Sequence, residues 1–340
     1  MKLTFEEIKS ITCGAVRFEE TNGSLKLFRF TREQEIEYKK VRPEGMCLKM
    51  YSSSGMKLVF KTDSEKMSLK VNVKASTSRS YFSIDVFSDE KCVGNIDNFS
   101  ELKLKDNYTK DSYPLGEFEA SFDLGKGIKT VTVYLPWSVV TEINAIELDD
   151  NSFVEAVKQK KVLLAFGDSI TQGYDTLRPS KHYINRLAKM LNCDVYNKGI
   201  GGEIFYHTHS LHKDDFCPDY ITVAYGTNDW SSIEEEIFKE RCKAFYTNLI
   251  KNYPSSKIFA LAPVWRKDYR DEKAFGDFEK VSKDIEAIVK DIKNVTYINC
   301  FDFIPHSEDY FGDLSLHPND EGFGFYAERL YNNIFNTGEI

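Results

Sequence analysis

No two cysteines in this chain are spaced as C-x-x-C, and the seven present (Cys13, Cys47, Cys92, Cys193, Cys217, Cys242 and Cys300) are scattered and odd in number. Zinc-ribbon and thioredoxin-like readings therefore fail, and the expectation is a cytoplasmic protein with reduced thiols. Positive charge is not in excess: 45 Lys and Arg stand against 53 Asp and Glu, a formal net charge of −8. Binding to phosphate backbones wants a basic face, so no nucleic-acid partner is expected. No apolar run approaches the roughly 20 residues that cross a bilayer, so no membrane association is expected. The opening stretch, "MKLTFEEIKSITCG", lacks the continuous apolar core and small-residue cleavage site of a secretory signal. Internal repeats and low-complexity tracts are absent too.

What is present is an ordinary globular composition, 41% hydrophobic and 29% charged over 340 residues, which leaves room for two domains. The two halves carry different apolar periods. Up to about residue 148 the period is two. In "MSLKVNVK", Met67, Leu69, Val71 and Val73 share one face, and Ser68, Lys70, Asn72 and Lys74 the other. "YFSIDVF", "KTVTVYL", "KLVFKT" and "EFEASFDL" add short strands separated by turn clusters such as "YSSSG" and "DLGKG". Many short alternating strands with no long helix between them predict an all-β jelly-roll sandwich over residues 1–150, preceded by one short helix near Thr4 to Ser10.

From Lys161 onward, apolar strands at 161–166, 194–197, 220–225, 257–263 and 295–299 alternate with helical stretches near 182–191, 233–252, 272–293 and 319–335. Strand–helix alternation with continuously apolar strands predicts an α/β domain, a parallel sheet covered on both sides. Five strands in this length fit a flavodoxin-like three-layer domain over residues 158–340. The polar stretch "DDNSFVEAVKQKK" is the expected boundary.

Ligands of such sheets bind at the carboxyl ends of the strands, so the loops there carry the chemistry. They read "GDSITQG" with Ser169, "NKGIGGE" with Gly199, Gly201 and Gly202, "YGTNDW" with Asn228 and Trp230, and "GDLSLHPND" with Asp313 and His317. A serine hydroxyl needs a base to take its proton, and His317 has the ordinary pKa for that task. The anionic oxygen of a tetrahedral intermediate needs fixed N–H donors, which a close-approaching glycine loop and the Asn228 amide can supply. The set reads as an acyl-transfer site in which Ser169 attacks a carbonyl.

"FGDSITQG", "NKGIGGE", "YGTNDW" and "LHPND" resemble, in this order, the sequence blocks of the SGNH hydrolases, also called GDSL esterases, over about residues 160 to 337. The resemblance implies Ser169 as nucleophile and as one oxyanion donor through its backbone N–H. It implies Gly202 as a second backbone donor, Asn228 as the third and His317 as the base, with no metal and no cofactor. A sandwich ahead of such a domain resembles the two-domain carbohydrate acetylesterases. One position departs from the pattern. The family's acid sits three residues before the histidine, where this chain has Leu314, and Asp313 lies one residue further away. Either a turn absorbs the offset and Asp313 orients His317, or a Ser–His dyad operates with a backbone carbonyl fixing the ring.

Blander readings compete at single positions. Ser169 and Asp168 are also common helix caps, Asn228 a common turn residue. Trp230 and Trp265 could stack on a sugar or simply pack, and Arg266 is equally ambiguous. His207, His209 and His212 in "HTHSLH" look like a metal cluster, yet the expectation is a loop without metal. The combined reading is a cofactor-independent serine esterase acting on a small acylated substrate, an acetylated sugar first. A lysophospholipase or thioesterase is the alternative, needing an apolar groove. A carbohydrate-binding protein without activity is the third reading, opposed by the complete set Ser169, Gly202, Asn228 and His317.

Overall fold

The computed structural model describes residues 1–102, 104 and 108–335. Its first half contains two antiparallel sheets. One runs in the order Arg17–Thr21, Ser24–Phe28, Val139–Leu148, Lys66–Ala75, Gly116–Asp123. The other runs Thr12–Cys13, Lys57–Thr62, Lys129–Tyr134, Ser83–Ser88, Lys91–Asp97, with Glu155–Ala156 added beside Lys57–Thr62. From Ser24 onward the chain passes from sheet to sheet at every connection except the Ser83–Ser88 to Lys91–Asp97 hairpin, which is the jelly-roll winding. The period-two pattern explains the layering. Met67, Leu69, Val71 and Val73 are buried against Leu58, Phe60, Val131 and Val133 of the facing sheet, in one core.

The helix expected near Thr4 spans Phe5–Ile11, with Thr4 and Glu7 forming a reciprocal capping box. The expectation of no long helix among the strands is corrected: Arg32–Val41 and Glu44–Leu48 are helices between strands Ser24–Phe28 and Lys57–Thr62. The longer one also opens on a capping box, Thr31 with Gln34.

In the second half, five parallel strands lie in the order Cys193–Asn197, Lys161–Gly167, Tyr220–Ala224, Lys257–Leu261, Val295–Ile298. This is the flavodoxin-like order, which reverses direction at the first parallel strand and opens a crevice there. Alternate strand residues feed opposite layers. Leu163, Ala165 and Val195 pack with helices Tyr183–Leu191 and Asp320–Leu330. Leu164, Phe166, Ile221 and Val223 pack with Glu235–Asn252 and Phe278–Val289. The helix read over 272–293 is shorter than expected, spanning Phe278–Val289. The α-helix read over 319–335 ends at Leu330 and widens into a π turn over Tyr331–Phe335. No helix among the described residues is long and apolar enough to cross a membrane.

Candidate active site

The first parallel strand ends at Gly167, and Asp168 closes the turn by accepting the Ile170 N–H (2.9 Å). Ser169 thereby starts a four-residue helix, Ser169–Gln172, at the head of the crevice. Asp168 is a cap, the plainer of its two sequence readings. Burial pushes its carboxyl up to about 7.

His317 comes from a closed loop in which Phe311 and Pro318 form a bridge and Gly312 N–H donates to the His317 carbonyl (2.8 Å). The ring sits with Nε2 2.8 Å from Ser169 Oγ and Nδ1 2.6 Å from Asp313 Oδ2. Because a carboxylate faces Nδ1, the neutral ring keeps its proton there, and in that form Nε2 is left to accept from the serine hydroxyl. The one-residue departure at Leu314 is absorbed by the backbone. Leu314 adopts a left-handed conformation (φ +59), at a cost of about 1 kcal/mol for a residue with a Cβ. Asp313 Oδ1 offsets this by accepting the N–H groups of Ser315, Leu316 and His317 at 2.8 to 3.0 Å.

A second carboxylate, not anticipated from sequence, faces the same nitrogen: Asp175 Oδ2 lies 3.3 Å from His317 Nδ1. Burial disfavours the charged ring, but the hydrogen bonds and charges of Asp175 and Asp313 outweigh it and push His317 up to about 9. At Asp313 the bond and charge of the His317 ring, with the Leu316 and His317 N–H groups, overcome burial and hold the carboxyl far below the usual range. Asp175, Asp313 and His317 are also the one group among the described residues whose ligand-type atoms cluster tightly enough for a metal ion. Those atoms face one another around the Nδ1 proton, so the cluster reads as a hydrogen-bonded acid–base unit.

The glycine loop is fixed from both sides. A Cβ on Gly199 would lie 2.4 Å from the Gln172 backbone nitrogen, so only glycine lets this loop approach the nucleophile turn. Gln172 Oε1 accepts the Gly201 N–H (2.6 Å), while its Nε2 donates to Ser52 Oγ (2.9 Å). Gly202 has φ +81, again a glycine conformation. Asn228 Nδ2 donates to the Glu203 carbonyl (2.9 Å), so Asn228 is tied to the residue next to Gly202. Glu203 is fully buried and drawn well below its usual pKa, since His209, Arg42 and Tyr38 together overcome its desolvation.

Several of these supports come from the sandwich half. The fully buried Arg29 donates to the carbonyls of Asn197 (2.9 Å) and Gly199 (2.8 Å), and Lys49 Nζ donates to that of Gly201 (2.7 Å). Arg79 and Tyr81 hold Asp175. Sequence reasoning found none of these, since nothing in a strand pattern marks which residue crosses to another domain. The capping box at Thr31 was a legible sign of the helix that carries Tyr38.

Trp230 and Trp265 are placed elsewhere than the sugar-stacking reading requires. Trp230 is 1% exposed, donates Nε1–H to the Gly276 carbonyl (2.7 Å) and lies under the Arg266 guanidinium. Trp265 is stacked on His306 and packed against Phe311. Both rings fill the seams between helices and loops. Arg266 is likewise occupied, with Thr227 and Asp268. The three histidines of "HTHSLH" do not gather: His209 is buried against Glu203, and His207 stacks on Tyr206.

Residues 165–324 match the GDSL-like lipase/acylhydrolase family. That stretch, just under half of the chain, contains Ser169, Gly202, Asn228, Asp313 and His317. The family so matched is one of lipases and acylhydrolases. A stretch of 111 residues is 28% identical to the lipoprotein YqeF of Bacillus subtilis (strain 168), covering 30% of this chain. The match spans 46% of that relative's length. The fold as a whole is shared more widely. The salicylyl-acyltransferase SsfX3 of a tetracycline biosynthetic pathway superposes with a TM-score of 0.78 at 17% identity, covering 97% of this chain and 95% of its own. A family two carbohydrate esterase from Clostridium thermocellum, solved with cellohexaose, gives 0.66 at 14% identity, covering 96% and 98%. Both likenesses run through sandwich and α/β domain together.

Proposed function

We propose that this chain is a serine esterase that removes short acyl groups, acetyl above all, from carbohydrates or similar small polar molecules through an acyl-enzyme. The observation that carries the reading is the unbroken chain of contacts Ser169 Oγ, His317 Nε2, His317 Nδ1, Asp313 Oδ2. In the first step Ser169 Oγ attacks the ester carbonyl as its proton passes to His317 Nε2. The Nδ1–H bond to Asp313 holds the imidazolium in place. The N–H groups of Ser169 and Gly202 and the Asn228 amide receive the oxyanion. Collapse expels the alcohol, which takes the proton from His317. Water then enters by the same route and releases the acid. The family two carbohydrate esterase, alike in both domains, supports a saccharide as the alcohol part.

Acyl size is read from what stands beside the donors. A Cβ on Gly202 would meet Lys49 Nζ (3.5 Å) and Met46 (3.8 Å), so a cation and a thioether border the glycine loop. With p-nitrophenyl esters, kcat/KM is expected to peak at acetyl and to fall about tenfold or more beyond butyryl. A panel of acetylated sugars then identifies the alcohol. A preference for octanoyl or longer chains would replace this reading by the lysophospholipase or thioesterase alternative.

The pH profile follows from the ring. Only the neutral imidazole can accept the serine proton, and two carboxylates keep His317 charged up to about 9. kcat/KM therefore rises with pH from 6 and levels off only above pH 9. A profile already flat at pH 7 would show that the ring does not feel both carboxylates.

A further inference from the structure

We propose that Asp175 is a second carboxylate acting on His317, held in place by Arg79 and Tyr81, so that the sandwich domain takes part in setting the basicity of the imidazole. The inference rests on the reading of His317 as the base. Asp175 lies in the turn after the nucleophile helix, in a left-handed conformation (φ +70) and fully buried. Both of its oxygens are engaged. Oδ1 accepts from Arg79 Nε (2.9 Å) and the Tyr81 hydroxyl (2.7 Å), and Oδ2 accepts from Arg79 Nη2 (3.3 Å) and faces His317 Nδ1 (3.3 Å). Its carbonyl accepts from the Tyr108 hydroxyl (2.8 Å). Three side chains of the sandwich half thus converge on one residue of the nucleophile turn.

A structural ion pair would be complete with Arg79 alone. Here the carboxylate bridges, with the guanidinium on one side and the imidazole on the other. His317 and then Arg79 overcome burial and keep Asp175 ionised, and the carboxylate presents its negative charge to the ring. The groups facing His317 are few. Asp313 comes from its own loop, Asp175 and Asp168 from the nucleophile turn, and Arg79 stands behind Asp175. The Tyr174 ring lies against the imidazole, with centroids 5.2 Å apart. Two carboxylates on Nδ1 stabilise the imidazolium that forms during attack, and they delay its deprotonation in the free enzyme. Asp175 is on this account a positioning residue that works through His317.

The test is Asp175→Asn, read by ring 15N NMR titration of His317 in the full-length protein together with the pH dependence of kcat/KM. Because the single change leaves Arg79 without its carboxylate, the neutral pair Arg79→Gln/Asp175→Asn is measured beside it. Both variants are expected to lower the ring's titration point, and with it the rising limb of kcat/KM, by about one pH unit, and to reduce kcat about ten- to a hundredfold. A ring that titrates as in the wild type in either folded variant overturns the proposal, whatever happens to kcat. Labelling of wild-type Ser169 by a fluorophosphonate is run in parallel. Absence of labelling would count against the esterase reading, while the ring titration would still decide the role of Asp175.

Discussion

Ser169→Ala is expected to lower ester turnover by about five to six orders of magnitude in kcat and to leave the protein folded. No other group touching the His317 Nε2 position can form the acyl-enzyme, and the proton path starts at Ser169 Oγ. The hydroxyl itself does little for stability. The Asp168 carboxylate accepts the Ile170 N–H, and the Gly173 and Tyr174 N–H groups donate to the Ser169 carbonyl, bonds that alanine keeps. Circular dichroism and thermal unfolding should therefore match the wild type within a few degrees. In the wild type a fluorophosphonate should modify Ser169, as read by peptide mass spectrometry. Substantial residual turnover in the alanine variant, or a label on another residue, would end the acyl-enzyme account.

Asp313→Asn should cost about three to four orders of magnitude in kcat at a saturating acetyl ester. An asparagine oxygen can still accept the N–H groups of Ser315, Leu316 and His317, so the loop keeps its shape. Its amide, however, offers donors where the carboxylate accepted. A ring that turns its lone pair to that amide carries the proton on Nε2 and cannot act as base. Asp175, 3.3 Å from Nδ1, opposes that tautomer and draws the loss towards the smaller end of the range. A loss of only about tenfold, with His317→Ala still severe, would mean that Asp313 shapes the loop and that Ser169 and His317 work as a dyad.

That Ser169 and His317 meet was legible because a parallel sheet sorts its loops. Once the strands are read from their apolar runs, the loop after each one falls on the same edge, and the chemistry-bearing residues stand out. The acid was harder to read. Counting back three residues from His317 lands on Leu314, and only its left-handed turn brings Asp313 to the ring. The tryptophans misled because an aromatic residue near the active edge has the same sequence signature whether it packs or binds. The 1% exposure of Trp230 is a tertiary fact. Asp175 was in plain view in "QGYDT", yet its role depends on Arg79 and Tyr81, 96 and 94 residues away in the chain. Period-two strands announce which residues face the core but not which loop end reaches across to a neighbouring domain.

Arg29 gives the relation between the halves a further meaning. Among the described residues its guanidinium has no carboxylate partner; burial draws it down to about 9, and five hydrogen bonds to Lys49, Ser52, Asn197 and Gly199 surround it. Two of the five end on the loop that carries Gly202. Cutting the chain at the start of the family match would strip those bonds, along with Lys49 from Gly201 and Arg79 from Asp175. Kinship and autonomy therefore have different borders in this protein. The family match runs over residues 165–324, whereas the smallest piece that keeps the site's geometry begins no later than Arg29. A catalytic half transplanted without its sandwich would carry the right residues with their supports left behind.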